Sequence, residues 1–397
     1  MECQHPLWPY KKWEFKKLVA HDTSYTVPRS VTSTRIAFFI AGLSLATWAP
    51  LIPFAKIRLM ADNGTMGMVM LAFGIGSLLM MPLSAVLASR YGCRIVFNIA
   101  TLVMLMLLPA LAIFDTPFTL ALALFVFGSG IGGMDVVANI HAVHVEKLAG
   151  RPIMSGFHAL FSIGGIVGSG LVSTLIIYGL TPLVTVSIVM MLVLGLLVIT
   201  YGGLLNYSES NDSPFFVIPK GIVIILGALC FVAYIMEGSM LDWSGILLIN
   251  HSDITANFAG VGYTTFALAM TLGRLLGDRL IKSFGRFNVF LVSSLIATSG
   301  ISVVVGGINL FAMICGFFLI GAGLSNIVPI LFSAAGRQTT MPTTLAVAAI
   351  SSIGYSGILL GPAFIGAIAH QTSLINAFIV IGLLSFSLPL CSYLIRR

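Results

Sequence analysis

The chain has 397 residues, 58% of them hydrophobic and only 8% charged, and a formal net charge of +7; its mean hydropathy is +1.05. A soluble domain carries about 25% charged residues, so this composition excludes one and places the chain in lipid. The basic balance calls for no nucleic acid, because the siting of Lys and Arg along a membrane chain accounts for it.

The first 34 residues set Trp8, Tyr10, Trp13 and Phe15 among four lysines. They read as a basic cytoplasmic tail, either a disordered arm or an interfacial anchor, without an apolar core of signal-peptide length. Beyond them the apolar runs predict twelve spans, centred near residues 46, 76, 104, 130, 167, 192, 231, 268, 297, 322, 354 and 383. About 20 apolar residues cross the hydrocarbon. The stretches 287–336 and 338–395, with no Asp, Glu, Lys or Arg, therefore hold two spans each. All must be helices, since an open strand edge in lipid leaves backbone groups unpaired. The polar segment 206–218 reads as a flexible link and the other connections are short. The expected organisation is a tail (1–34), a six-helix bundle (35–205), a cytoplasmic linker (206–218) and a second six-helix bundle (219–397), a monomer with a cleft between its bundles. With the N-terminus inside, only Lys56 and Arg58 of the twenty basic residues fall outside. Both termini are then cytoplasmic and the protein sits in the inner (cytoplasmic) membrane.

Three echoes along the chain predict a duplicated half. Gly132, Asp135 and Val137 recur as Gly323, Asn326 and Val328 at an offset of 191, and Ser162-Ile163-Gly164 recurs as Ser352-Ile353-Gly354 at 190. More loosely, Ser89-Arg90-Tyr91-Gly92 is echoed by Asp278-Arg279 and Phe284-Gly285, at 189 and 193. A duplicated membrane half is a common build of secondary transporters. Glycine clusters at Gly128, Gly130, Gly132 and Gly133, at Gly164, Gly165, Gly168 and Gly170, and at Gly354, Gly357, Gly361 and Gly366 mark close helix approach.

The segment Gly273-Arg274-Leu275-Leu276-Gly277-Asp278-Arg279-Leu280-Ile281-Lys282-Ser283-Phe284-Gly285-Arg286 resembles the cytoplasmic loop motif of the major facilitator superfamily in its second-half form. The first-half counterpart, Ser89-Arg90-Tyr91-Gly92-Cys93-Arg94, keeps the Arg and Gly but has Ser89 where that family usually has Asp. Within the superfamily the chain is similar to a bacterial branch near the fucose and other sugar:proton symporters. The likeness rests on Thr47-Trp48-Ala49-Pro50, Met134-Asp135, Gly156-Phe157-His158, Glu237-Gly238 with Asp242-Trp243, and Gly354-Tyr355. It implies the twelve-helix, two-bundle, all-α fold, alternating access, and a cytoplasmic gate drawn from Arg90, Arg94, Arg274, Asp278, Arg279, Arg286 and Arg337.

Asp135 is the first candidate for chemistry, because an ionisable group well inside a membrane helix is seldom kept without a cavity or partner. It looks like the acidic position of the sugar:proton symporters, which usually have Glu there, and a carboxyl so placed can load and release a proton. Asn139, one turn on, shares its face. Those symporters often carry a second acid in the first span; none occurs around Trp48, and Glu237 is the candidate to replace it, ahead of Asp242. His158, Asn326 and Tyr355 are polar cavity-liners that could also serve packing alone, and Trp48 could stack on a sugar or sit in an interfacial belt. The five cysteines show no paired or metal-binding spacing, and no nucleotide-cradling Gly-rich loop precedes a Lys-Ser/Thr. No metal, cofactor or enzymatic activity is expected. The function expected is proton-coupled secondary transport of a small polar solute, with a sugar-like molecule as the first candidate. Proton-driven drug or metabolite efflux and a non-transporting sensor on the same fold stay open.

Overall fold

A computed structural model describes residues 26–61, 63–206, 218–251, 261–307 and 309–396, and holds no strand among them. The tail as far as residue 25 and nearly all of the expected linker lie outside the described residues. In chain order the first half comprises α1 (Val27–Thr47), a 3-10 turn (Ala49–Leu51), α2 (Ile52–Arg58), α3 (Asn63–Tyr91), α4 (Cys93–Ile113), α5 (Pro117–Ala149), α6 (Met154–Ile177) and α7 (Pro182–Tyr201). The second comprises α8 (Ile222–His251), α9 (Val261–Phe284), α10 (Arg286–Gly306), α11 (Leu310–Leu324), α12 (Ile327–Arg337), α13 (Thr343–Gln371), α14 (Leu374–Ser385), α15 (Ser387–Leu390) and a 3-10 turn (Ser392–Arg396).

Among the described residues, 11 helical runs are long and apolar enough to cross a bilayer, α11 and α12 counting as one. The one expected span left over, the eighth, coincides with α9, which is not among them because Arg274, Asp278, Arg279 and Lys282 crowd its second half. Leu268, Leu272, Leu275, Leu276 and Leu280 of α9 are exposed while Arg274 is buried. A helix that buries an arginine on one face and exposes leucines on the other suits lipid.

The same helix pairs pack in both halves: α1 on α6 and α8 on α13, α3 on α5 and α9 on α11, α4 on α5 and α10 on α11. Across the interface α6 meets α9 and α13 meets α3, the exchange expected of halves related by a pseudo-twofold. The loosest sequence echo has a conformational basis. Gly92 (φ 84°, ψ 155°) and Gly285 (φ 79°, ψ 155°) are the N-caps of α4 and α10, in one backbone conformation that L-residues rarely adopt.

Two boundaries differ from expectation. Helix α1 starts at Val27, inside the expected tail, because its polar first turns are satisfied locally. Thr32 donates to the Pro28 carbonyl and Thr34 to that of Ser30, while Ser30, Ser33 and Thr34 are buried. The tenth expected span is interrupted at Ser325 and Asn326 between α11 and α12, whereas α5 runs unbroken through the repeat partner Asp135. The exception to the basic-residue pattern also has a structural explanation: Arg58 donates to the Leu111, Ala112 and Phe114 carbonyls at 2.7–2.8 Å, capping the C-terminus of α4. Partial burial there lowers its pKa, with Asp115 acting in the opposite sense.

Glycine lets these helices touch backbone to backbone. A Cβ on Gly42 would strike the Phe161 carbonyl, and one on Gly164 or Gly168 those of Phe39 or Leu43, along the α1–α6 seam. Gly42→Ala is expected to destabilise the fold by about 1–3 kcal/mol through overpacking. Gly170→Ala, with no atom within 4 Å of the new Cβ, should change stability by less than about 0.5 kcal/mol. Thermal midpoints of the two variants in detergent check the pair.

Candidate functional site

Between residues 130 and 146 every side chain of α5 is buried except that of Asp135. The carboxyl is therefore not spent in the packing of its own half. Asn139, four residues on, donates from Nδ2 to the Asp135 carbonyl at 2.9 Å, and the same amide lies 3.4 Å from Oδ1. Among the described residues its own Oδ1 is buried with no partner. From the second half, Tyr234 of α8 and Tyr355 of α13 lie within electrostatic reach of Asp135. Tyr355 hydrogen-bonds with Ser77 of α3, which donates to the Gly128 carbonyl of α5 at 2.8 Å.

Arg274 extends this cluster. It is 5% exposed; its Nη1 donates to Ser162 Oγ of α6 at 2.7 Å, and its Nη2 lies 3.7 Å from Glu237 Oε2 of α8. The motif had suggested a place beside Asp278 in the cytoplasmic gate; in the structure Arg274 instead faces Glu237 and the first half. Tyr234 and Tyr263 lie near both members of this pair. His158, one turn before Ser162, is wedged between Phe38 of α1 and Phe332 of α12, with ring centroids at 5.2 and 5.8 Å. Its Nε2 is buried without a partner.

Away from the Asp135 cluster, the halves are fastened at the end of the molecule that carries the basic residues, here termed the basic face. The N-terminus of α6 presents successive backbone N–H groups that an α-helix cannot satisfy internally. Glu146 Oε2 accepts from Ile153 and Met154 at 3.1 and 2.9 Å. Asp278, from the other half, accepts from Ser155 and Gly156 at 3.0 Å each. Ser155 Oγ donates to Asn326 Oδ1 at 2.7 Å, and Asn326 Nδ2 to the Gly273 carbonyl at 3.1 Å. A Cβ on Gly277 would overlap Asn326 and Ser155, so the motif glycine is needed for this approach. Glu146 Oε1 is 3.6 Å from Arg286 and near Arg337, and Lys147 donates to Thr343 Oγ1 at 2.9 Å.

The remaining expected gate residues are placed differently. Arg94 donates to the Leu204 carbonyl at 2.9 Å and lies over the Tyr201 ring, within its own half. Arg90 ends α3, and Arg279 is exposed. Ser89, in the place of the family's usual Asp, donates to Val86 of its own helix. Trp48 is packed in the apolar core at the end of α1. His141 accepts at Nε2 from the Leu205 N–H, which leaves the proton on Nδ1 to be donated to Thr34 Oγ1; it ties α1 to the end of α7. Glu146, Tyr234, Tyr263 and Ser155 were not singled out by sequence. A helical-face count would have flagged the first two, since Glu146 lies 11 residues, about three turns, beyond Asp135, and Tyr234 is one turn before Glu237. An apolar groove of about 260 Å³ between α3 and α4, lined by Met80, Leu87, Tyr91, Ile95 and Ile99, holds none of these polar groups.

A pseudo-symmetric helical bundle with half-open acids at its central interface defines a membrane carrier. No protein-family profile matches the chain. It is 50% identical over 366 residues to an uncharacterized MFS-type transporter of Yersinia pestis, covering 92% of this chain and 95% of that protein. With an uncharacterized transporter of Sinorhizobium fredii it shares 30% identity over 353 residues, 87% of this chain and 93% of the other. Its fold matches FucP, a major facilitator transporter crystallised in the outward conformation, with a TM-score of 0.79 at 15% identity over 94% of this chain and 100% of that one. A structure of a point variant of the same protein, the fucose:proton symporter of E. coli, matches with a TM-score of 0.74 at 14% identity, over 94% and 100% of the two chains. The chain belongs to the major facilitator superfamily: it is a multi-pass membrane transporter of a small-molecule substrate and not an enzyme.

Asp278→Asn keeps the side-chain shape but leaves one acceptor oxygen for two N–H donors of α6, so one bond is lost, because the amide nitrogen cannot accept, and the other loses its charge. The basic-face closure should loosen by about 1–3 kcal/mol. Hydrogen exchange should quicken at the Ser155 and Gly156 amides in particular; unchanged protection there would mean that the carboxylate does not hold the helix end.

Proposed function

We propose that this protein is a proton-coupled secondary transporter that carries a small polar solute across the inner membrane by alternating access, acting as a monomer with its basic face in the cytoplasm. The partial opening of Asp135, alone along an otherwise buried stretch of α5 and directed at the second half, is the observation that carries this reading. Among the described residues Asp135 has no ion-pair partner, and a carboxyl so placed is costly unless it gains and loses a proton or meets a ligand. The solute then enters between the halves, bounded by Asp135, Asn139, Tyr234, Glu237 and Tyr355. The contacts of Glu146, Asp278, Arg286 and Lys147 close the cytoplasmic side, so the described state faces outward. Asn326 and Ser155 belong to the closure and His158 to the aromatic wall above it. The fucose:proton symporter among the proteins of like fold supports uptake with protons and a hydroxylated, sugar-like solute.

Asp135→Asn removes the titrating group while keeping a hydrogen-bonding side chain. In proteoliposomes the variant should lose uphill accumulation driven by an inward proton gradient, yet retain solute exchange at equal concentrations. Uphill accumulation by the variant at the wild-type level would sink the proton role.

A further inference from the structure

A guanidinium carries a fork of N–H donors suited to two oxygens at once. Among the described residues, that of Arg274 makes one hydrogen bond, to Ser162, while Nε is buried without a partner and Nη2 stands 3.7 Å from Glu237. So few partners for an arginine at 5% exposure leave it under-satisfied in the heart of a membrane protein. Its Glu237 partner is only loosely held. The contact is long and made through one nitrogen, and the Glu237 side chain is 28% exposed.

We propose that the transported solute is a hydroxylated monocarboxylic acid, whose carboxylate engages the open donors of Arg274 in place of Glu237. The inference rests on the proton-coupled transport reading above and names the substrate class of that same site. Glu237 is an internal stand-in. It keeps the guanidinium paired in the empty site, and on substrate entry it takes a proton from the open aqueous side, so that the exchange leaves one cation facing one anion.

Charge decides between anions. The ionisable groups that share this cluster with Glu237 are Arg274 and Tyr263 on α9, Tyr234 and, near Tyr263, Asp242 on its own helix, Asp135 on α5 near Tyr234, His158 on α6 beside Arg274, and Tyr355 on α13 beside Asp135. Arg274 is the only permanent cation of this set. Even with every acid of this set protonated and His158 neutral the site carries no more than +1, which balances a carboxylate and falls short of a phosphate dianion. The hydroxyl requirement comes from the other side of the cluster. The unpartnered Asn139 Oδ1 needs a donor, and Tyr234 and Tyr355 provide hydroxyls beside Asp135. An acid lacking hydroxyls would leave that side unpaired.

Matched pairs test this on the purified full chain: D-glucuronate against D-glucose and D-gluconate against D-glucitol, with glucose 6-phosphate as the dianion, followed by ligand-induced thermal stabilisation. At least one of the two acids should bind, its neutral partner and the phosphate should not, and affinity should tighten on going from about pH 8 to about pH 5.5, by at most about tenfold per pH unit for each coupled proton. Glu237→Gln mimics the protonated stand-in and should keep acid binding at the higher pH with a flattened pH profile. Arg274→Gln should abolish it, and if that variant does not fold, the flattened profile of Glu237→Gln decides. Equal or better binding of the neutral partners, binding of none of the five compounds, or tighter acid binding at high pH overturns the proposal. Vesicles loaded with a pH-sensitive dye separate it from the reading beneath. Proton entry driven by D-glucose with the acids inert removes the carboxylate and keeps proton coupling. Acid binding without proton entry keeps the carboxylate and removes coupling.

Discussion

The N-terminus of α6 sets the terms for the rest of the molecule. Its first backbone donors end inside a closed protein, where water cannot take them, and a helix end left bare there is expensive. One carboxylate from each half meets the need: Glu146 holds Ile153 and Met154, and Asp278 holds Ser155 and Gly156. The helix dipole adds to both contacts, since a negative charge belongs at the positive end. Half of the helix terminus thus depends on the opposite bundle. Parting the bundles at this face exposes two N–H groups and a carboxylate together, which is tolerable only where water enters at the same moment. Under the proposed cycle the contact is therefore a closure that gives way to solvent and resists leakage in the dry state.

The pseudo-twofold does not repeat this device. The counterpart of Asp278 in the repeat is Ser89, whose hydroxyl is absorbed by its own helix. The N-terminal turn of α13, which corresponds to α6, receives Lys147 on Thr343 instead. A lysine hydrogen bond to a hydroxyl lacks the charge complementarity of a carboxylate on backbone donors, so the two sides of the interface are fastened with unequal strength. The break in the second half follows the same division. Asn326 interrupts α11 and α12 and reaches Ser155 and Gly273 with its amide. Asp135, its repeat partner, sits on an unbroken helix and keeps its carboxyl for the interface.

Much of this was legible in the residues. Lipid residence, the duplicated halves and the glycine seams follow from composition and spacing, and Gly92 and Gly285, paired by the loose sequence echo, share one backbone conformation. Asp135 and Glu237 stand out as acids in apolar runs. What the residues did not disclose is which neighbour each charge faces. Arg274 reads as part of a basic loop because Asp278, Arg279 and Lys282 follow it closely, yet it lies a full turn deeper and is buried. Glu146 discloses no partner in the sequence, because its hydrogen bonds run to backbone amides, which no side-chain pattern reveals. The start of α1 was missed for a related reason: serine and threonine that bond their own helix lower hydropathy without leaving the membrane.

Helix α9 connects the two levels. Arg274 and Asp278 are four residues apart, about 6 Å along one face of a helix. Arg274 touches α6 at Ser162, and Asp278 touches the start of the same α6 at Ser155 and Gly156. Two stiff helices are thus joined by two charged contacts, one at the depth of the central cluster and one at the closed face. Under the proposed cycle, a solute that competes for Arg274 draws on the upper contact, and because neither helix bends between the two points, the displacement reaches the lower one. The same rigidity acts in reverse: while Asp278 holds the end of α6, Ser162 is fixed where it can accept from Arg274. Site and gate need no relay of side chains between them, since each helix carries one partner of both contacts.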